Sequence, residues 1–281
     1  MTTNFHPPIA PRIRSLFLLL PIVCLLGCAL PYTPTPLAGN WQIQAGTAIT
    51  SPPTAPYLIG ALQGSDSALT GTFNLQQPGS GVTPQVISLT GTYNPTTSNL
   101  VLVPPPPQVG GISVMLSVPA NPTDVAAGSI EYSCGVCNAI PAPTPAVGVQ
   151  IAPLNGTYTG TLTGTITTSS QTTPISGTAS MTFTQSATPN TSGQFPLTAA
   201  VTFPSSSGIG TNTLPGLVSG ITIELSTEPC IFPFSNVTCN VIGPGSVLFA
   251  YTNPTATQIT VTNLQNVNTS AINLTGTLTL Q

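Results

Sequence analysis

One stretch of this chain, residues 154–168, alternates two kinds of side chain and constrains the fold more than any other feature. It reads LNGTYTGTLTGTITT, and small polar residues hold every second position: Asn155, Thr157, Thr159, Thr161, Thr163, Thr165 and Thr167. The positions between them alternate glycine with larger apolar residues: Leu154, Tyr158, Leu162 and Ile166. Because successive residues of a strand point to opposite faces, this period of two predicts a β-strand with one solvated and one buried face.

Versions of the same pattern return along the chain. They are LTGTF at 69–73, LTGTY at 89–93, ISGTA at 175–179 and LTGTL at 274–278. Turn clusters rich in Pro, Gly, Ser and Asn separate about fourteen alternating segments, and no window has the apolar spacing of an amphipathic helix. Consecutive strands joined by short turns are typical of antiparallel meanders, and glycines inside strands permit tight curling. The sequence therefore predicts an all-β fold of two tandem small barrels or barrel-like sandwiches.

The order of these segments predicts the domain organisation. A first series of strands fills residues 37–137, and a second fills residues 154–281. Between them, residues 138–153 read NAIPAPTPAVGVQIAP, and proline lacks the N–H that a central strand donates. We therefore predict a Pro-rich linker at 138–153 between two β domains.

Two short likenesses indicate that the halves are repeats of one another. LAGNW at 37–41 matches LNGTY at 154–158, and each opens its half of the chain. NPTTSNLVL at 94–102 matches NPTATQITV at 253–261. If the halves are repeats, each match is expected at the same place in its domain.

The first 27 residues have the layout of an export signal. Arg12 and Arg14 precede an apolar run, SLFLLLPIVCLL at 15–26, which is shorter than the roughly twenty residues that span a bilayer as a helix. The run ends in LLGC at 25–28. This ending resembles the lipobox of bacterial lipoproteins, in which the cysteine is acylated after cleavage before it.

The resemblance implies that Cys28 becomes a lipid-modified N-terminus, with residues 28–36 as a Pro-rich tether to the membrane. Two or more acyl chains make such an anchor stable. Ala29 stands where an aspartate would be the inner-membrane retention signal of that family, which favours the outer membrane. The alternative is an ordinary secretory signal that leaves Cys28 as an unmodified thiol.

Charge is almost absent from the chain. Charged residues make up 2% of it, against roughly a quarter in ordinary soluble proteins. All the basic side chains, which are His6, Arg12 and Arg14, lie in the leader. A processed chain would therefore lack the cations that bind nucleic-acid phosphates and the His or Lys base of familiar serine and cysteine hydrolases. We expect no nucleic-acid partner, no cofactor and no His-based metal site.

Four cysteines lie in the body of the chain: Cys134, Cys137, Cys230 and Cys239. In an oxidising compartment an even set of cysteines indicates structural disulfides, and we favour the local pairs 134 with 137 and 230 with 239. A redox site at Cys134 and Cys137 would need a nearby cation or helix N-terminus to stabilise its thiolate. A zinc site of all four thiolates is the other alternative.

Acidic residues follow the leader at five places: Asp66, Asp124, Glu131, Glu224 and Glu228. They lie in turns or on polar strand faces, which predicts that they are solvated. The alternative is that two of them form the carboxylate pair of a glycosidase-like hydrolase.

The first strand carries a Gly-X-Trp sequence at Gly39 and Trp41. It is similar to the motif of the lipocalin superfamily, in which a tryptophan on the first strand closes the floor of the barrel. That family packs an arginine from its last strand over the tryptophan, and this chain has none there. Trp41 as an ordinary core residue is the alternative.

These observations favour a non-enzymatic, lipid-anchored module of the bacterial envelope, at the periplasmic or surface face of the outer membrane. Its ligand would be a neutral glycan on a threonine-lined face, or a small apolar molecule inside a barrel. The alternatives are a hydrolase that uses paired acids, and a pore-forming barrel with a polar lumen and an apolar exterior.

Overall fold

The chain folds into two closed barrels. The computed structural model describes residues 37–78, 84–106, 111–133, 140–167, 171–208, 210–226, 247–265 and 271–281. These residues form sixteen β-strands and one 3₁₀ turn at Ser205–Ser207, with no α-helix among them. Each set of eight strands closes into an antiparallel barrel. The predictions of an all-β fold and of tandem barrels are therefore confirmed.

Barrel 1 and barrel 2 have the same simple topology, in which each strand pairs with the next and the last pairs with the first. The strands of barrel 1 are β1 (Gly39–Ala45), β2 (Tyr57–Ser65), β3 (Ala68–Gln76), β4 (Gln85–Asn94), β5 (Asn99–Val103), β6 (Gly111–Ser117), β7 (Ala126–Ser133) and β8 (Ile140–Ile151). Those of barrel 2 are β9 (Asn155–Thr167), β10 (Thr172–Gln185), β11 (Phe195–Thr202), β12 (Thr211–Ser219), β13 (Thr222–Ser226), β14 (Val247–Thr252), β15 (Gln258–Gln265) and β16 (Ala271–Leu280).

The alternation of the sequence sets the inside and the outside of each barrel. Along β11, for example, Phe195 and every second residue after it are buried, while the residues between them are exposed. The two interiors are filled by the largest buried side chains, Trp41 and Phe73 in barrel 1 and Tyr158 and Phe183 in barrel 2. Tyr158 and Phe183 pack edge to face, with ring centroids 5.5 Å apart.

Glycines at inward positions let neighbouring strands curl closely together. A Cβ on Gly164 would lie 1.7 Å from the carbonyl oxygen of Asn273, and a Cβ on Gly160 would lie 2.1 Å from that of Thr277. A side chain at such distances would require the neighbouring strand to shift, so glycine alone fits these positions of β9 without displacement. The glycines of the repeated pattern are therefore required by the curvature of the barrel.

Strand β1 is buried on both of its faces over nearly its whole length. Trp41 and Ile43 point into barrel 1, while Asn40, Gln42 and Gln44 point outward and are nonetheless buried. One end of barrel 2 covers the outward face at Asn40 and Gln42, and Thr50 of the β1–β2 loop bonds Gln44. The core of barrel 2 even includes an outward residue of barrel 1, Ala61 on β2. Barrel 2 therefore stands end-on against the wall of barrel 1.

The prediction of a linker at 138–153 is wrong, because residues 140–151 form β8. This strand pairs with β7 and closes the barrel against β1. Its pairing with β1 stops at Ala146, and Pro145 directs its carbonyl toward the end of β1, where it accepts a hydrogen bond from the N–H of Gly46 at 2.8 Å. Pro143 faces the same side because backbone groups alternate along a strand, so its missing N–H costs the ladder no bond. Only residues 152–154 connect the barrels.

One of the two internal likenesses occupies equivalent places, and the other does not. In the first, Trp41 and Tyr158 are fully buried on the opening strands, and Gly39 and Gly156 both have positive φ, at 143° and 110°. In the second, the 94–102 segment turns between β4 and β5, whereas the 253–261 segment turns between β14 and β15, two strands further on. This second likeness reflects turn chemistry: in each, the asparagine side chain accepts backbone N–H bonds within its turn.

The substitution Gly164→Ala tests the curvature argument. The new methyl group would meet a backbone oxygen that only a strand displacement could move, so we expect a loss of about 2 to 3 kcal/mol of unfolding free energy. Urea denaturation of the full chain measures it. Thr163→Ala changes the preceding residue, which points outward, and should change the free energy of unfolding by no more than about 0.5 kcal/mol. Equal effects of the two substitutions would contradict the close approach.

Candidate functional site

The outer wall of barrel 2 carries a regular array of small hydroxyl side chains on β10, β9 and β16. The register places Thr178, Thr161 and Thr277 side by side in a central row. A row of the same kind lies on either side of it. We call these nine residues the threonine lattice: Thr159, Thr161, Thr163, Ser176, Thr178, Ser180, Thr275, Thr277 and Thr279.

The hydroxyls in the middle of the lattice face solvent. Thr161, Thr178 and Thr277 are exposed, and within the described part of the chain their hydroxyls have no hydrogen-bond partner. Beyond the lattice, hydroxyls pair across strands instead, as between Thr157 and Thr182 at 2.8 Å. The centre of the array is therefore free to bond an external ligand.

The lattice presents one chemistry over a wide area. A hydroxyl donates one hydrogen bond and accepts two, and the threonine methyl adds apolar contact. The spacing is about 6.8 Å along a strand and about 4.8 Å between strands. Such a face suits an uncharged ligand with many hydroxyl groups of its own, and it offers nothing to select a charged one.

The interiors of the barrels are built differently. Apolar side chains fill them, and the polar groups of the largest rings are used internally. Trp41 donates its indole N–H to the carbonyl of Leu37 at 2.7 Å, and Tyr158 donates its hydroxyl to the carbonyl of Ala256. Trp41 thus serves as a core residue at the start of barrel 1. This filling argues against the interior as the place of a small apolar ligand.

The acidic residues within the described ranges are dispersed over both barrels. Asp66 lies in the turn between β2 and β3, and Asp124 lies between β6 and β7, where it accepts a hydrogen bond from Asn121 at 3.1 Å. Glu131 is on β7 and Glu224 on β13. Among the described residues, no three His, Cys, Asp or Glu side chains group together in a way that could hold a metal ion. Glu228 lies outside those residues.

The cysteine predictions also fall on residues that the structure does not describe. Cys134 and Cys137 lie between the described ends of β7 and β8, and Cys230 and Cys239 lie between those of β13 and β14. Cys28 precedes the first described residue. Acylation of Cys28 and the disulfide pairs therefore stay predictions.

The alternation of the sequence predicts the outward threonines but not the burial of the amides of β1. The structure buries Asn40, Gln42 and Gln44: the first two bond Gly220 and Ile221 of barrel 2, and Gln44 bonds Thr50 of its own barrel. Their one distinguishing signal is chemical type, because β1 alternates large carboxamides where β9 alternates threonine.

Within the described residues, no helix has both the length and the hydropathy to cross a bilayer.

Fold and site together define a protein of two tandem eight-stranded barrels with an uncharged, hydroxyl-rich outer face. No protein-family model and no curated protein matches the chain. Among solved structures it is similar to intact Ap-TbpB, with N and C lobes, at 11% identity and a TM-score of 0.30, covering 79% of this chain and 54% of that one.

It is also similar to a tryptophan-to-alanine variant of the vaccine antigen transferrin binding protein B from Haemophilus parasuis Hp5. That likeness has 11% identity and a TM-score of 0.28, and it covers 80% of this chain and 53% of the other. The chain spans about half the length of these two structures. At these TM-scores the likeness carries no conclusion about function.

Tyrosines provide the pH dependence that the structure predicts. Burial raises the pKa of Tyr57 above its ordinary 10.0, and the charge of Tyr251 across the contact between the barrels raises it further. Burial likewise raises the pKa values of Tyr158 and Tyr251. The folded chain therefore holds these protons more tightly than the unfolded chain does.

Stability should be complete below pH 10.0, the ordinary tyrosine pKa, and should fall as the pH rises above it toward the raised values. Melting temperatures measured by circular dichroism on either side of that pH test this. Tyr57→Phe, which removes the ionisation and breaks no internal hydrogen bond of the described residues, should make the alkaline fall shallower. A fall of unchanged steepness would show that other groups cause it.

Proposed function

We propose that this protein is a lipid-anchored module of the bacterial envelope that binds a neutral polysaccharide on the threonine lattice, without catalysis. The observation that carries the proposal is the row of exposed hydroxyls at Thr178, Thr161 and Thr277, none of which has a partner within the described residues. The filled interiors leave the outer wall as the place for a ligand.

A polysaccharide fits this face better than the other ligand classes. Its repeated hydroxyls match a repeated array of donors and acceptors, whereas an apolar molecule would leave those hydroxyls unbonded. Anionic polymers, nucleic acids included, need basic side chains that a chain processed at Cys28 would lack. The scatter of Asp66, Asp124, Glu131 and Glu224 over separate elements gives no support to the paired-acid hydrolase.

The burial pattern also disfavours the pore-forming alternative. Such a barrel is apolar outside and polar inside. In β9, Leu162 and Ile166 point inward and are buried, while Thr161 and Thr163 point outward and are exposed. The described strands of barrel 2 thus have the opposite arrangement.

The location rests on the leader, and an intact-mass measurement tests it. Protein extracted from membranes should begin at Cys28 and carry acyl chains, and its mass should rise by about four daltons on reduction of two disulfides. The variant Cys28→Ala should be released from the membrane fraction. An unlipidated wild-type mass, or a variant that stays in salt-washed membranes, would overturn the anchor.

The lattice is tested by replacing hydroxyls with methyl groups of the same shape. The double variant Thr161→Val with Thr277→Val loses two hydrogen bonds to the ligand at about 0.5 to 1.5 kcal/mol each, so affinity for a neutral glycan found on an array should fall about five-fold to a hundred-fold. Calorimetry measures it.

Thr92→Val is the matched control, because Thr92 is an exposed outward threonine on β4 of barrel 1. It should leave affinity unchanged. Affinity should also stay within about two-fold when salt is raised ten-fold, since no counterions are released. Equal losses in control and lattice variants, or an array with no neutral glycan bound, would refute the proposal.

A further inference from the structure

The contact between the barrels is built around the outward face of β1. Asn40, Gln42 and Gln44 are 2%, 0% and 2% exposed, although they point away from the interior of barrel 1. Burying a carboxamide is unfavourable unless its hydrogen bonds are made, so partners fixed in place are required. Barrel 2 provides partners for Asn40 and Gln42 through one of its turns, whereas Gln44 bonds Gln42 and Thr50 of its own barrel.

The first turn joins β12 to β13 through Gly220 and Ile221. Asn40 donates its Nδ2–H to the carbonyl of Gly220 at 2.8 Å and accepts the N–H of Gly220 on Oδ1 at 2.7 Å. Gln42 accepts the N–H of Ile221 on Oε1 at 3.2 Å. The side chain of Asn40 therefore pairs with a peptide group of barrel 2 as a neighbouring strand would.

Gly220 fits this contact because it has no side chain. Its φ is 55°, and a Cβ there would lie 2.4 Å from Cγ2 of Ile59 and 2.8 Å from Oε1 of Gln42. A larger residue at this position would therefore clash with Ile59 and Gln42 of barrel 1 unless the contact shifts.

The second turn joins β10 to β11 and meets β3. Asn74 donates its Nδ2–H to the carbonyl of Ser192 at 2.8 Å, and a Cβ on Gly193 would lie 2.0 Å from the carbonyl oxygen of Thr72. Beside the short connection between barrels, the N–H of Ala152 bonds the carbonyl of Pro254 at 2.8 Å. Barrel 2 is therefore bonded at two places on barrel 1 and at a third place on the connection between them.

The two barrels bury different kinds of surface in the contact between them. Barrel 1 contributes a wall of outward apolar and amide side chains from three strands, which barrel 2 and the β1–β2 loop of barrel 1 bury together: Asn40, Gln42, Gln44, Ile59, Ala61, Val147, Val149 and Ile151. Barrel 2 contributes chiefly turns, with Ile221 buried in the contact and Tyr251 of β14 partly buried beside it.

From this asymmetry we propose that the two barrels form one rigid, cooperative unit in which barrel 1 depends on barrel 2 for its stability. Barrel 1 connects the N-terminal part of the chain to barrel 2 and supports barrel 2. Barrel 2 in turn presents the threonine lattice in a fixed orientation. The proposal concerns the contact alone and does not depend on which ligand the lattice binds.

Urea unfolding of the full chain tests this with two signals. Trp41 is the single tryptophan and lies in the core of barrel 1, so its fluorescence reports on that barrel, while far-ultraviolet circular dichroism reports on both. In the wild type the two signals should change together. In Gly220→Ala the fluorescence midpoint should move to lower urea, while part of the dichroism signal persists to higher urea.

Gly208→Ala is the matched control for this variant. Gly208 also has a positive φ, at 70°, but nothing lies within 4 Å of the Cβ position. The substitution therefore introduces the backbone strain without a steric clash. Its two signals should stay coincident. Ser219→Ala is a control inside the contact, because the buried hydroxyl of Ser219 has no partner among the described residues, and it should leave coincidence intact.

Asn40→Ala supplies a second variant should Gly220→Ala fail to fold. It adds no atoms and removes both bonds to Gly220, so the two signals should separate in the same direction. Separate transitions in the wild type, or coincident transitions in both Gly220→Ala and Asn40→Ala, would overturn the proposal.

Discussion

The structure depends on satisfying backbone hydrogen bonds in a chain that has almost no charge. Strand edges with unpaired N–H and C=O groups invite pairing with other chains, and proteins commonly protect them with charged side chains, especially lysine. The body of this chain has no lysine or arginine. Barrel closure removes most edges outright, and proline and serine protect two described places where a strand runs past its neighbour, on β10 and β8.

Strand β10 shows this protection in barrel 2. Its pairing with β11 begins at Ser180, so its earlier residues project beyond β11. The hydroxyl of Ser206 accepts the N–H of Ser176 at 3.2 Å and donates to its carbonyl at 3.0 Å, which replaces a missing strand. Pro174, two residues earlier, faces the same edge and has no N–H to offer there. The prolines of β8 protect the corresponding projection of barrel 1.

Local pattern was sufficient to predict one part of the molecule, and tertiary contact decided the rest. Alternation predicts that Tyr158 and Leu162 face inward and Thr161 outward, because each face is set by its own strand. The prolines of β8 led to the wrong prediction of a linker, because the rule that excludes proline applies to strands paired on both sides. At its prolines, β8 has no partner on one side. The spacing of two between these prolines indicates a strand with one unpaired side. Asn40 is different, since an amide on an outward face is equally compatible with solvent, and only the turn at Gly220 determines its burial.

The same pattern that builds the core also determines what the outer wall can bind. Each exposed hydroxyl contributes only about 0.5 to 1.5 kcal/mol to binding, and association itself costs several kcal/mol. One threonine therefore cannot retain a sugar, whereas a lattice that meets several residues of one polymer can. Threonine limits the cost further, because its branched side chain has few rotamers to lose and the barrel holds its backbone fixed. Glycines such as Gly160 and Gly164 bring the strands of the lattice into register at close range. An array of weak, rigid and identical groups is thus suited to a ligand that is itself a repeat, and this favours a polysaccharide over a single sugar.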